Sequence, residues 1–201
     1  MKLLFNIREY QKFRIYVEAV RYEISGLGKI RLNKEEETII VEDIKIFNQE
    51  VSYANTVLDK RALSKFYDEL IKNGESPSDW KLWWHSHGGM ETFWSNIDVR
   101  TIEDFDTEQP QDNWLLSVVT NHKKEMLIRL DVFDPIRCTI EGIEYDFLFT
   151  DEVMRENLLD EVTEKVVLKS FRKKETNWDW KDKIKKPFYL SEGKQLDWEA
   201  E

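Results

Sequence analysis

Cysteine is nearly absent from this chain, which contains one, Cys138, among 201 residues. A single cysteine permits no internal disulfide and excludes the cysteine-rich arrangements that hold structural zinc. We therefore expect a reducing, cytoplasmic environment. Long apolar runs are also missing, because no segment approaches the roughly 20 residues of a membrane-spanning helix. The N-terminal sequence MKLLFNIREYQKF lacks the apolar run and small-residue cleavage site of a secretory signal, so none is expected.

Basic residues are too few to balance the acidic ones. The chain has 30 Lys and Arg against 40 Asp and Glu, a formal net charge of −10. Phosphate backbones are repelled by such an excess, so we expect no nucleic-acid partner, and the lack of a spanning segment predicts no membrane partner. A net acidic body favours instead a protein partner that is basic near its tail.

The hydrophobic pattern predicts an α/β (α+β) fold with one sizeable core. Hydrophobic residues make up 41% of the chain and aromatic residues 13%, which is enough material for that core. Apolar residues recur at helical spacing in residues 11–22 and 56–73, the second bounded by Asp59 and Gly74. Strand patterns fill residues 24–32, 38–47, 80–87, 114–120, 125–133 and 137–149. We expect a mixed, largely antiparallel sheet flanked by helices.

The C-terminal quarter has a different character. Residues 151–171 are a charged stretch with one apolar side, which predicts a helix that docks back or pairs with a partner. Residues 172–201 combine charge with aromatic side chains, as in a tail that covers the domain surface or a docking arm for another protein. We therefore divide the chain into a domain at 1–150 and a C-terminal helix and tail at 151–201.

Histidine is scarce too, yet two of the three histidines stand one residue apart in the segment HSHGGMETFWSNID. On a strand, His85 and His87 leave the same face and can converge on one ion. A helical turn after the two following glycines would place Ser95 and Asp98 on one face. Two imidazoles and a carboxylate suit an open zinc site that leaves a fourth position to water. The alternatives are a polar surface pair of histidines, and helix capping by Ser95 and Asp98. The third histidine, His122, follows Asn121 in a predicted turn and is interpreted as a surface residue.

The spacing HxHx7SxxD resembles the motif of the JAMM (MPN-plus) metalloisopeptidases, in their prokaryotic or phage-type branch. The family takes its general base from an upstream glutamate, on a strand that follows an amphipathic helix. The matching segment here is YEISGLGKI, with Glu23 as the candidate, and Glu18 or Glu42 as alternatives. The resemblance implies a JAMM/MPN-like, cytidine-deaminase-like architecture in which His85, His87 and Asp98 hold Zn²⁺. It implies that Glu23 shuttles the proton and that Ser95 stabilises the oxyanion.

By the same resemblance the substrate is a peptide or isopeptide bond that follows the C-terminal tail of ubiquitin or a ubiquitin-like protein. The alternative is a catalytically inactive MPN-type interaction scaffold, and a small-molecule zinc hydrolase or deaminase is a third possibility. A deaminase would carry its glutamate in an HxE motif and use cysteine ligands, and neither is present. One departure from the family pattern is Gly88, where the family often has proline, and we expect glycine to loosen that turn.

Overall fold

A mixed sheet with helices on both faces organises the part of the chain that the structure, a computed structural model, describes: residues 1–53, 55–108, 113–148 and 155–168. The helices are α1 (Ile7–Ala19), α2 (Lys60–Lys72), α3 (Asn96–Glu108), α4 (Arg155–Lys165) and a short 3-10 helix (Pro77–Asp79). The strands are β1 (Lys2–Asn6), β2 (Ser25–Asn33), β3 (Thr38–Ile46), β4 (Gln49–Val51), β5 (Thr56–Leu58), β6 (Leu82–Ser86), β7 (Trp114–Thr120), β8 (Met126–Val132), β9 (Cys138–Glu141), β10 (Glu144–Leu148) and β11 (Val166–Leu168).

The strands form two sheets. Eight of them lie in the order β10-β1-β3-β2-β6-β7-β8-β9, and the other three lie in the order β11-β4-β5. In the large sheet β1 pairs in parallel with β10 and β3, and β6 pairs in parallel with β7, while the remaining neighbours are antiparallel. The mixed, largely antiparallel sheet expected from the sequence is therefore confirmed.

Two adjacent tryptophans show how β6 divides the core between the two faces of the sheet. Successive side chains of a strand leave opposite faces. Trp84 stacks on Tyr16 of α1, with ring centroids 6.2 Å apart. Trp83 joins a buried cluster on the other face, where α2 contributes Phe66 and α3 contributes Ile102. The alternation sends the side chain at position 85 to the same face as Trp83, toward α2 and α3.

Helix α2 begins later than the sequence predicts. Residues Thr56–Leu58 form β5 and pair with β4, so the predicted helix from residue 56 is wrong at its start. Asp59 caps α2 by accepting hydrogen bonds from the amides of Arg61 and Ala62. A capping residue is not helical, so it separates the strand from the helix. Gly74 follows the end of the helix with a φ of +73°, as expected. Ile71, near the end of α2, is 62% exposed, so it lies outside the buried face of the helix.

Pairing between distant strands accounts for the other differences. Strand β1 lies upstream of the predicted elements, and α1 begins at Ile7 instead of residue 11, capped by the Asn6 side chain. The predicted strand at 137–149 is split at Gly142, whose φ is +71°. Its second half, β10, pairs with β1. Such a pairing depends on contacts across the whole chain and leaves no local pattern.

The C-terminal segment docks back on the domain where it is described. Leu158 and Val162 of α4 are buried, and the Tyr16 hydroxyl donates a hydrogen bond to Glu161. The predicted helix at 151–171 is shorter in the structure, because β11 follows it and pairs with β4. The aromatic tail at 172–201 lies outside the described residues, and the division at residue 150 stays a prediction. None of the described helices combines the length and apolar character needed to cross a bilayer.

Candidate metal centre

Three buried side chains converge where β6 ends and α3 begins. His85 Nε2 lies 3.2 Å from His87 Nε2 and 3.1 Å from Asp98 Oδ1. His87 Nε2 lies 3.7 Å from Asp98 Oδ2. One ligand atom from each residue lies within 4.8 Å of the other two, so the group could hold a metal ion. The alternative of a polar surface pair of histidines is not observed, because both residues are at most 3% exposed.

The surroundings of Nδ1 in each imidazole indicate whether Nε2 is the nitrogen that can bind a metal. His87 Nδ1 lies 2.9 Å from the carbonyl oxygen of Glu91. A carbonyl can only accept, so Nδ1 carries a proton and, in the neutral ring, Nε2 is the nitrogen left to bind a metal. The His85 ring stacks on Trp83 at 4.5 Å, and its buried Nδ1 has no hydrogen-bond partner among the described residues. Packing holds His85, and a hydrogen bond orients His87.

The surroundings of the three residues favour an ionised Asp98 and a neutral His85, which are the forms that bind a metal. Burial opposes ionisation of Asp98, but the hydrogen bonds from His85 and His87 outweigh it and hold the pKa of Asp98 well below its usual range. Burial lowers the pKa of His85, which favours its neutral form. Burial acts the same way on His87, but hydrogen bonds to Asp98 and to the Glu91 carbonyl reverse the effect and raise its pKa. An anionic carboxylate beside a neutral imidazole is ready to bind a cation.

Ser95 and Asp98 also cap α3. The Ser95 amide donates to Asp98 Oδ2 at 2.7 Å, and the Asp98 amide donates to Ser95 Oγ at 3.2 Å. This reciprocal pair is a capping box, so the helix-capping alternative is correct alongside the convergence on the histidines. The cap fixes the carboxylate, and its other oxygen remains directed at His85.

Glu23 lies two residues before β2, on the wall of a cavity that His85 and Asp98 also line. It is buried, and burial is the main cause that raises its pKa to about 7, while His87 lowers this pKa and nearby Asp98 raises it by smaller amounts. The alternative acids are engaged elsewhere: Glu18 pairs with Arg14 at 3.1 Å, and Glu42 pairs with Arg31 at 2.5 Å. Neither is among the described residues that line this cavity.

The cavity has a volume of about 770 Å³ and runs from the metal group toward α2. Glu23, Ser95 and Asp98 line one end of it. Its walls include all of β5, which is an edge strand of the small sheet, and side chains of α2 and α3: Leu63, Ser64, Tyr67, Asp68, Ile97, Thr101, Asp104 and Phe105. The cavity volume exceeds that of a single side chain, and one of the walls is a strand edge.

The turn after His87 is held firmly, in contrast to the looseness expected of glycine there. Gly88 has a φ of +55°, and a Cβ at this position would lie 2.7 Å from the carbonyl oxygen of Arg21. Proline, with φ near −65°, could not adopt this conformation. The carbonyl of Gly88 accepts the His122 amide at 2.8 Å, and that of Met90 accepts the Asn121 side chain at 2.8 Å. Rigidity therefore comes from the β7–β8 turn.

That turn also corrects the interpretation of His122. Its Nε2 lies 3.0 Å from the carbonyl of Val17 and 2.9 Å from that of Val20, at the C-terminal end of α1. The residue is half-buried and caps the helix, so it is not an ordinary surface histidine. Asn121, which is fully buried, was not predicted to support the site. A polar residue in a predicted turn has many possible partners, so no local pattern identifies the partners of Asn121.

Comparison with known proteins assigns no family. No family model matches the chain, and no curated protein matches it. Among solved structures, the chain is similar to the solution structure of protein DSY2949 from Desulfitobacterium hafniense, with 15% sequence identity and a TM-score of 0.49. The similarity covers 76% of this chain and 97% of that one.

Proposed function

We propose that this protein is a zinc-dependent peptidase or isopeptidase of the JAMM type, which cleaves after the C-terminal tail of ubiquitin or a ubiquitin-like protein. The observation that carries the proposal is the convergence of His85, His87 and Asp98 at one end of a groove that Glu23 and Ser95 also line. Three protein ligands with one open position are the usual composition of a catalytic zinc site. A structural site would need a fourth ligand.

The spacing of the ligand atoms supports zinc. Bonds of about 2.05 Å in a tetrahedral arrangement place neighbouring ligand atoms about 3.3 Å apart. His85 Nε2 lies 3.2 Å from His87 Nε2 and 3.1 Å from Asp98 Oδ1, and His87 Nε2 lies 3.7 Å from the other carboxylate oxygen, Asp98 Oδ2. Side chains that met only through hydrogen bonds would not need one ligand atom from each of the three residues within 4.8 Å of the other two. The nitrogen and oxygen donors also match the preferences of zinc.

The roles of the protein groups follow from their positions. Zinc, when bound, supplies the Lewis acidity that activates water for attack on a carbonyl carbon. Glu23 would accept the proton of that water and pass it to the departing amine, and a pKa of about 7 suits both transfers near neutral pH. Ser95 Oγ accepts the Asp98 amide, so its hydroxyl proton remains to donate to the oxyanion of the tetrahedral intermediate.

The shape of the groove supports an extended polypeptide as substrate. Strand β5 borders the cavity, and only its pairing with β4 is present among the described residues. An extended tail could add to its other edge through main-chain hydrogen bonds. The exposed side chains of Val57 and Ile97 lie along the same groove and offer apolar contact to such a tail.

The proposal is tested by metal analysis of the purified protein together with cleavage of tail-extended ubiquitin-like precursors and conjugates. We expect about one zinc per chain, and cleavage that a chelator stops and added zinc restores. Glu23→Gln should keep zinc and lose at least about 100-fold in turnover, since a general base contributes that much or more. Glu42→Gln, at an acid paired with Arg31, is the matched control and should stay active. Full activity of Glu23→Gln would remove Glu23 from its role, and zinc binding without any turnover would favour the inactive scaffold.

A further inference from the structure

The side chain of Gln49 has every hydrogen-bonding position occupied, although nothing in the sequence marks this residue. It is 4% exposed and lies at the start of β4. Its Oε1 accepts the Ser25 amide at 3.0 Å and the Thr56 hydroxyl at 2.9 Å. Its Nε2 donates to the carbonyl of Ser25 at 2.9 Å and to that of Phe47 at 3.0 Å. A primary amide has two donors and two acceptor sites, so none is left over.

Gln49 acts as a substitute for a missing strand residue. Strand β3 pairs with β2 only as far as Gly26, which lies opposite Ile46. Ser25, one residue earlier, therefore has no partner from β3 for its backbone. The Gln49 amide binds both the N–H and the C=O of Ser25, as a neighbouring peptide group would. The same side chain reaches Thr56, so it joins the large sheet to the small one.

The residues that Gln49 holds lead to three parts of the site. Ser25 lies opposite His85 in the pairing of β2 with β6. Glu23 is two residues before Ser25, on the same run of backbone. Thr56 is the first residue of β5, the edge strand that borders the groove, and its hydroxyl lies 3.3 Å from Ser25 Oγ. The buried Gln49 amide thus binds β2, which follows Glu23 and pairs with the His85 strand β6, and it also binds β5, which forms a wall of the groove.

We infer that Gln49 is a positioning residue, which sets Glu23 and the β5 edge at fixed places relative to the metal group. This role rests on the proposed function, because it assigns a task to the base and to the groove wall. Gln49 does not bind any of His85, His87 or Asp98 in the structure. Its loss should therefore change turnover and substrate binding and leave metal binding intact, which distinguishes it from a residue that only supports the fold.

The test compares Gln49→Met, which keeps the length of the side chain and removes its hydrogen bonds, with two other variants. Ile39→Val is the control for lost packing, since Ile39 is buried in β3 and does not line the groove. Thr56→Val removes only the hydroxyl that donates a hydrogen bond to Gln49 Oε1. This variant replaces Gln49→Met in the test if Gln49→Met does not fold. We expect Gln49→Met to bind zinc within about twofold of the parent, with kcat about tenfold lower, KM raised and the acid limb of the pH profile displaced. Thr56→Val should act in the same direction more weakly, and Ile39→Val should change none of these.

Amide hydrogen exchange on the metal-free protein gives a readout that needs no activity. Exchange of the Ser25 amide should be about tenfold faster in Gln49→Met, because its acceptor is gone. The Ser86 amide, which donates to the Ile24 carbonyl at 2.8 Å, should exchange at the parental rate. An active parent with unchanged kcat, KM, pH profile and Ser25 exchange in Gln49→Met would overturn the inference alone. A parent that cleaves nothing would overturn the proposed function, and unchanged Ser25 exchange would then reject the Gln49 role as well.

Discussion

Asp98 is joined to Ser95 by two reciprocal hydrogen bonds, and its remaining oxygen lies 3.1 Å from His85. One carboxylate therefore both begins helix α3 and faces the histidines. The two tasks depend on different properties of the side chain. Capping requires an oxygen that accepts a hydrogen bond, whereas binding a cation also requires negative charge.

Substitutions at Asp98 should separate these two tasks. Asp98→Asn keeps an acceptor for the Ser95 amide and loses the charge, so we expect zinc affinity to fall at least about 100-fold with little change in the stability of the metal-free protein. Asp98→Ala loses both the acceptor and the charge, and its metal-free form should have a free energy of unfolding about 1 kcal/mol lower than that of Asp98→Asn. Zinc titration and thermal unfolding in chelator measure the two effects. Equal zinc affinity in Asp98→Asn and the parent would contradict the ligand assignment.

Zinc should stabilise the folded protein through the same three residues. An ion that binds only the folded state at about 100 times its dissociation constant adds about 2.7 kcal/mol to the free energy of unfolding. We expect the melting temperature to rise with added zinc and to return when a chelator is added. His87→Ala should abolish most of this rise, since it removes a nitrogen that lies 3.2 Å from His85 Nε2. His122→Ala is the control, because that histidine binds carbonyl oxygens of α1 and is not in the group.

Glu23 should make the metal-free protein less stable as the pH rises. Its pKa is about 7 in the folded state against an ordinary value of 4.5, so the folded state binds this proton more tightly than the unfolded state. The stability that this group contributes is fully present below pH about 4.5 and is lost as the pH rises through about 7. Glu23→Gln cannot ionise, so at pH 8 we expect it to be more stable than the parent by about 3 kcal/mol. Denaturant unfolding of both proteins in chelator at pH 5 and pH 8 measures this, and a difference in stability between parent and variant that is the same at the two pH values would count against a raised pKa of Glu23.

Gly88 and its neighbour Gly89 provide a matched pair of substitutions. Gly88→Ala must accept a φ of +55° and a Cβ close to the Arg21 carbonyl, whereas an added Cβ at Gly89 meets nothing within 4 Å. We expect Gly88→Ala to cost about 1–3 kcal/mol of stability and to weaken zinc binding by displacing His87. Gly89→Ala should alter neither quantity appreciably. Chemical denaturation and zinc titration of both variants make the comparison, and equal behaviour of the pair would argue against a fixed turn.

The sequence alone determined the features that depend on neighbours along the chain. Strand alternation sets His85 and His87 on one side, and the three-residue spacing of Ser95 and Asp98 suits the first turn of a helix. The helical repeat and its bounding residues predicted the end of α2, and β-branched runs located most strands. These patterns are local, because the regular backbone of a single strand or helix determines the directions of its side chains.

Only the tertiary structure decided how separate segments meet. Which glutamate lines the groove depends on the pairing of β2 with β6, which brings Ser25 opposite His85. The role of Gln49, the capping of α1 by His122 and the pairing of β10 with β1 all join residues that no spacing relates. Such contacts depend on the packing of the whole core and on the need to give every buried polar group a hydrogen-bond partner. The order of residue types along the chain contains information on neither of these.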